Sequence, residues 1–298
     1  MPKNQQQNGE LIHRPVLVQE VLECLRPRAG ESYLDLTAGY GGHAELIIDK
    51  TKSPEKAYLV DRDELAISTL KTKFEKAQII HSDFKRACED LVEQGKHFSM
   101  VLADLGISSP HLDIASRGFS FGNSGPLDMR MDQSQDLTAA ELVNTASEQE
   151  LIRILEEYGE EPKARVIARR ITENRPIEDT TALSNVVAKA YGPWAARSRV
   201  NPATRTFQAL RIAVNDELNQ LSDSLSLMAR LLAPGGRLAI ISFHSLEDRI
   251  VKQYFAEHAG DRFDAELKLL TKKPITAADP EIRLNPRARS AKLRAVAK

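Results

Sequence analysis

Four short apolar runs, at residues 33–36, 57–60, 79–80 and 100–103, each follow a polar break and are separated by segments of helical spacing at 44–50, 64–76 and 85–94. Strands alternating with helices of this kind pair in parallel, because only a long crossover returns the chain to the same end of a sheet. The pattern commits this part of the chain to an α/β architecture, with a mostly parallel sheet covered on both faces. A fifth strand is expected at 237–242, after a Pro234-Gly235-Gly236 turn. Between the fourth and fifth strands, strand signals nearly vanish. Segments 138–144, 148–158, 161–174 and 181–191 read as helices, with Ser147 a cap for the second and Pro176, Pro193 and Pro202 as punctuation. A long amphipathic helix over 204–232 should lead back to the sheet. The expected organisation is a disordered tail at 1–10, a discontinuous core at 11–112 and 205–298, and an all-helical insertion at 113–204.

Composition narrows the class further. With 42% hydrophobic and 28% charged residues, the chain has a globular balance, which excludes disorder through most of its length. Its longest apolar runs, such as 238–241, fall far short of the roughly 20 residues that span a membrane. The first ten residues are polar and Gln/Asn-rich, without the apolar core of a signal peptide, so a cytoplasmic location is expected. Cys24 and Cys88 are too few and too far apart for a disulfide framework or a cysteine zinc site, and the seven histidines are dispersed, so no metal is expected. A net charge of −1 conceals two basic stretches. Residues 163–211 carry ten Lys/Arg against three Asp/Glu, and 268–298 carry nine against two. Such segments either solvate helix faces or meet a polyanion.

The chemistry concentrates after the first strand, in Asp35-Leu36-Thr37-Ala38-Gly39-Tyr40-Gly41-Gly42-His43-Ala44. Glycines there admit a ligand close to the backbone, at a helix N-terminus with free N–H groups. The string also satisfies G-x-G-x-x-A, which leaves an NAD-dependent oxidoreductase as a competitor. Two details favour a nucleoside sulfonium. Asp35 sits inside the turn, where it would repel a pyrophosphate, and Asp61, Asp83 and Asp104 end three further strands. Ligands of doubly wound sheets bind at those carboxyl ends. Asp61 has the spacing of a ribose acid, Asp63 reads as a helix cap, and Asp83-Phe84 offers an acid and a ring to adenine, with Phe84 as simple core the alternative.

The strings D-L-T-A-G-Y-G-G-H (35–43), D-L-G-I-S-S-P (104–110), R-G-F-S-F (117–121), G-P-L-D-M-R-M-D (125–132), N-P-A-T-R-T-F-Q-A-L-R (201–211) and L-A-P-G-G-R-L-A-I-I-S-F-H-S-L-E-D-R (232–249) occur in one order. In these, the chain resembles the ribosomal small-subunit RNA (cytosine-N4)-methyltransferase family over nearly its whole length. The resemblance implies a Rossmann-like S-adenosylmethionine-dependent methyltransferase fold with a helical insertion that helps bind RNA. It implies S-adenosyl-L-methionine as cofactor and 16S rRNA in the small ribosomal subunit as partner, with a homodimer left open. The product would be an N4-methylated cytidine in the decoding region. Carried over by position, Gly41, Gly42 and His43 match the cofactor loop, Asp61 the ribose acid, Phe84 the adenine contact and Asp104 a further pocket residue. His111 stands where many members have Gln, a departure that changes the geometry of that contact. A non-catalytic RNA-binding assembly factor on the same scaffold is the remaining alternative.

A cytosine amine is a poor nucleophile, since its lone pair is delocalised into the ring. Transfer needs alignment and acceptors that draw the amine towards tetrahedral geometry, and the expected acceptor is Asp104, with a hold on the cofactor's ammonium as the equal alternative. Ser108 and Ser109 read as turn-shaping or capping residues. Ser242, His244 and Ser245 lack the G-x-S-x-G elbow of a hydrolase. Phosphate contacts are expected from Arg165, Arg169, Arg197, Arg199 and Arg205, beside Tyr191 and Trp194, with His244 at the pocket edge as base contact, phosphate contact or structural histidine. The tail around Arg287, Arg289, Lys292 and Arg294 either extends that groove or forms a charged edge strand.

Overall fold

In the computed structural model, the residues described are 15–122, 124–193, 201–260 and 265–298. The expected tail at 1–10, together with Trp194, Arg197 and Arg199, lies outside them. Chain order runs α1 (Val18–Leu25), β1 (Tyr33–Asp35), α2 (Gly42–Thr51), β2 (Ala57–Asp61), α3 (Glu64–Lys73), β3 (Gln78–His81), α4 (Phe84–Glu93) and β4 (Phe98–Asp104). Then follow α5 (Ser109–Asp113), α6 (Ala139–Thr145), α7 (Glu148–Gly159), α8 (Ala164–Glu173), α9 (Thr180–Tyr191) and α10 (Ala203–Asn215). The chain returns through α11 (Glu217–Arg230), β5 (Leu232–Ser242), α12 (Ser245–His258), β6 (Lys268–Leu269), β7 (Ile275–Thr276), α13 (Asp279–Leu284) and β8 (Lys292–Ala297).

Two compact units result. One takes the described residues up to Gly106 and Leu218–Lys298; the other is Ile107–Glu217. In the first, the sheet order is β3-β2-β1-β4-β5-β8-β6, with β7 also on β8. β1 to β5 are parallel, and growth reverses between β1 and β4, which creates a switch point there. Alternate side chains feed opposite layers, as the pleat requires. Leu34, Val60, Val101 and Leu238 pack with α4, α11 and α12 on one face. Tyr33, Leu59, Met100 and Ala239 pack with α1, α2 and α3 on the other.

Three expectations are corrected in this unit and at its border. The fifth strand starts at Leu232, and Pro234-Gly235-Gly236 forms an irregularity within it, marked by a register shift opposite Phe98 and Met100. The basic C-terminal segment is an inner strand and not an edge: β8 pairs with β5 on one side and with β6 and β7 on the other. Arg294, 9% exposed, donates to Asp248 Oδ1 at 2.7 Å, so its charge is spent inside the fold. The helix expected over 204–232 is broken at Asp216, which takes a left-handed φ of 50°. Asn215, just before the break, accepts from Met131 N at 2.8 Å and donates to Met129 O at 2.8 Å, so the chain is tied down where the helix stops.

The second unit is built from helices around Leu142, Leu151, Leu155, Ile167, Leu183 and Leu210. Thr138, Ser147 and Asp179 cap α6, α7 and α9 by accepting from backbone N–H groups. Its limits, 107 and 217, differ from the expected 113 and 204. The whole of α10 packs here: Gly159 meets Arg205 O so closely that a Cβ would stand 2.9 Å from it.

Candidate active site

The glycine turn and its acids gather at the carboxyl ends of β1, β2 and β4. Gly39 and Gly41 take left-handed φ values of 52° and 77°, the turn that carries β1 into α2. A Cβ at Gly41 would stand 2.4 Å from Phe74 Cε2, so only glycine fits. Among the described residues, no side chain caps α2, which leaves its first N–H groups and the positive end of its dipole for a ligand.

Asp61, at the end of β2, braces this turn. Its Oδ2 accepts from Gly39 N at 2.7 Å and its Oδ1 from Asp63 N at 2.8 Å. Asp104, at the end of β4, has its backbone N–H on Thr37 Oγ1 at 2.6 Å. Its carboxylate is 3.6 Å from His43 Nε2 through Oδ2, while the buried Oδ1 has no hydrogen-bond partner among the described residues. A buried carboxylate oxygen left unpaired is costly unless a ligand donates to it.

The remaining strand-end acids are corrected. Asp35 is 1% exposed, and both its oxygens are engaged within the chain: Tyr33 Oη donates to its Oδ2 at 2.7 Å and Thr37 N to its Oδ1 at 3.2 Å. Burial pushes its carboxyl up to about 6, against the opposing pull of the Tyr33 hydrogen bond and of His43. Tyr33, fully buried against that carboxylate, is pushed well above the usual phenol range, first by burial. Asp83 caps α4, accepting from Arg86 N at 2.9 Å, instead of ending a strand towards adenine. Asp63 caps α3, as its position before Glu64 indicates.

Other expected residues fall as follows. Phe84 is 8% exposed within the core, with the Arg62 guanidinium 6.0 Å from its ring centre. His111 belongs to the helical unit, where its Nδ1 accepts from Ser108 N at 3.2 Å and tilts against Phe119. His244 caps α12 in a reciprocal pair with Glu247, a structural occupation. Arg165 and Arg169 share a face of α8 at 84% and 72% exposure; Arg169 is held by Glu173 at 2.8 Å, and Arg165 stands 4.0 Å from Glu156. Arg205 donates to Glu160 O at 2.6 Å. Sequence reasoning missed Thr37 as the link between turn and β4, and Tyr33 as the partner of Asp35, though two-residue spacing on one strand was a signal for the latter. No group of three metal-ligating side chains occurs among the described residues.

Among the described residues, the uncapped helix end suits a carboxylate or hydroxyl group and the unpaired Asp104 oxygen suits an N–H donor, the donor set of a nucleotide-cofactor site at the switch point of a doubly wound sheet. With the family match that follows, they belong to an S-adenosylmethionine-dependent methyltransferase of Rossmann-like fold. The chain matches the model of the MraW methylase family over residues 10–298 and belongs to that family. It is 47% identical over 291 residues to the ribosomal RNA small subunit methyltransferase H of Synechocystis sp., covering 96% of this chain and 93% of the relative. The protein of that name in Cyanothece sp. is 50% identical over 289 residues, covering 96% and 94%. That of Heliobacterium mobile is 44% identical over 311 residues, covering 97% and 99%. Family membership removes the oxidoreductase reading: the G-x-G-x-x-A string is here a methylase turn.

Proposed function

We propose that this enzyme methylates the exocyclic N4 amine of a cytidine in the decoding region of 16S rRNA, acting in the cytoplasm on the small ribosomal subunit. The observation that carries the reading is the buried, unpaired Oδ1 of Asp104 at the switch point between β1 and β4. When bound, S-adenosylmethionine supplies an electrophilic methyl group on a sulfonium. Gly41, Gly42 and His43 would hold it at the start of α2, and Asp61 would accept from its ribose. Asp104 accepts an N–H of the target amine, which draws the nitrogen lone pair out of conjugation with the ring. His43, 3.6 Å away, keeps that carboxylate in place. The amine proton becomes acidic only as the new bond forms, so no base need act first. Alignment of the reacting atoms is the main catalytic resource, worth roughly 7–11 kcal/mol in well-oriented systems.

The target base must be presented unpaired, at a cost of up to a few kcal/mol. Exposed Arg165 and Arg169 and the other cations of the helical unit supply phosphate contacts towards that cost. No helix among the described residues is long and apolar enough to cross a membrane.

The test is transfer of labelled methyl from S-adenosylmethionine to small subunits lacking the modification, by wild type and Asp104→Asn. Wild type should label 16S rRNA, and the variant should lose at least 100-fold in rate while still binding S-adenosylhomocysteine. Near-wild-type transfer by the variant would remove Asp104 from the mechanism.

A further inference from the structure

The glycine turn and Asp61 occupy the β1 and β2 side of the switch point. The β4 and β5 side is left for the group that accepts the methyl, because the crevice of a doubly wound sheet opens across that point. An aromatic ring stands there without a role in the scheme above. β4 and β5 run in register with Asp104 opposite Ile241, so Phe243, just beyond β5, comes level with Gly106, two residues beyond Asp104.

The two are fitted to each other. Gly106 takes a left-handed φ of 94°, and a Cβ on it would stand 3.2 Å from Phe243 Cδ2. The ring therefore lies directly on the turn that follows Asp104. Its backbone is fixed by a buried acid: Glu247, 2% exposed on α12, accepts from Phe243 N at 2.7 Å and from His244 N at 3.2 Å through the same oxygen. Phe243 packs in part against the core below the sheet and is otherwise half-buried. A rigidly held aromatic ring that is in part open, two residues beyond the register position of an unpaired carboxylate, has the features that a planar heterocycle with an amine requires.

We propose that Phe243 is the platform on which the target cytosine stacks, with Gly106 left bare so that the ring can lie over the turn and present the amine edge to Asp104. This assignment rests on the cytidine-methylation reading and names the residue that positions its substrate. The base stacks on the part of the Phe243 ring that the core leaves open, and Glu247 sets the height of the ring through the backbone of Phe243 and His244.

The experiment compares wild type, Phe243→Leu and Phe243→Tyr in methyl transfer to small subunits lacking the modification, with S-adenosylhomocysteine affinity measured by calorimetry on each. Leucine keeps the apolar bulk and loses the π face. Phe243→Leu should lower kcat/KM by about 5- to 150-fold, the fold-change that stacking of about 1–3 kcal/mol per base converts to. Its S-adenosylhomocysteine affinity should stay within about twofold, and Phe243→Tyr should transfer within about threefold of wild type. Transfer by Phe243→Leu within threefold of wild type overturns the proposal. So does an equal loss in both variants, or a parallel loss of S-adenosylhomocysteine binding, since these report packing and not stacking. Absence of transfer by the wild type itself would instead sink the functional reading beneath it, so the two failures are distinguishable.

Discussion

Asp61→Asn isolates the link between the glycine turn and cofactor binding. The carboxylate accepts from Gly39 N at 2.7 Å and from Asp63 N at 2.8 Å, one on each oxygen. An asparagine keeps one oxygen and turns an NH2 towards the other N–H, so one bond is replaced by a donor facing a donor. Loss of a hydrogen bond to a charged group costs about 1.5–3 kcal/mol. If Gly39 is the group abandoned, the turn leaves its ligand-binding conformation at that cost. At about 1.4 kcal/mol per tenfold, S-adenosylhomocysteine should bind roughly 10- to 150-fold more weakly. Any ribose hydroxyl held by Asp61 adds to the loss. Titration calorimetry on the folded variant measures this directly. A dissociation constant within threefold of wild type would refute the reasoning, because neither the brace nor the ribose contact would then contribute.

Gly41→Ala forces a Cβ to 2.4 Å from Phe74 Cε2 at a left-handed φ of 77°, so urea unfolding should show a loss of about 2–4 kcal/mol. Asp35, raised by burial to about 6 from an ordinary 3.8, binds its proton more tightly in the folded state. Its contribution therefore favours folding below about pH 4 and is lost as pH rises through about 6, a change of about 3 kcal/mol. Relative to Asp35→Asn, wild type should lose about that much stability between those limits, and parallel stability curves would contradict it. Although burial raises the Asp248 carboxyl, the Arg294 and Lys292 hydrogen bonds outweigh it and hold the group below its usual range. Arg294→Ala should therefore cost roughly 3 kcal/mol by leaving Asp248 short of its partner, whereas exposed Arg289→Ala should stay within about 0.5 kcal/mol.

The sequence carried the parallel sheet because β1, β2 and β4 are buried on both faces, and their apolar runs have no other use in so short a length. Asp104 was legible for a related reason: a carboxylate at a strand end is a residue type that packing does not demand, and Gly41 was legible as part of a glycine-rich turn between a strand and a helix. Asp35 and Asp83 look the same in one dimension. Only the hydroxyl of Tyr33 and the N–H of Arg86 reveal that one acid is walled in and the other caps a helix. The break at Asp216 was invisible to periodicity because apolar spacing continues on both sides of it. What stops the helix is the pairing of Asn215 with Met129 and Met131, more than eighty positions earlier. The basic tail misled for the opposite reason: its charges suggest a surface, but Arg294 on the inner strand β8 is paired with Asp248 of α12.

The central claim is that Asp104 directs methyl transfer to an amine of cytidine, and the most direct measurement is mass analysis of nucleosides from labelled small subunits. Digestion of 16S rRNA after reaction with wild type should return the label in N4-methylcytidine, and the Asp104→Asn reaction should leave that nucleoside unlabelled. Label in a carbon-methylated pyrimidine or a ribose-methylated nucleoside would contradict the account, because neither acceptor has an N–H for the Asp104 oxygen to receive.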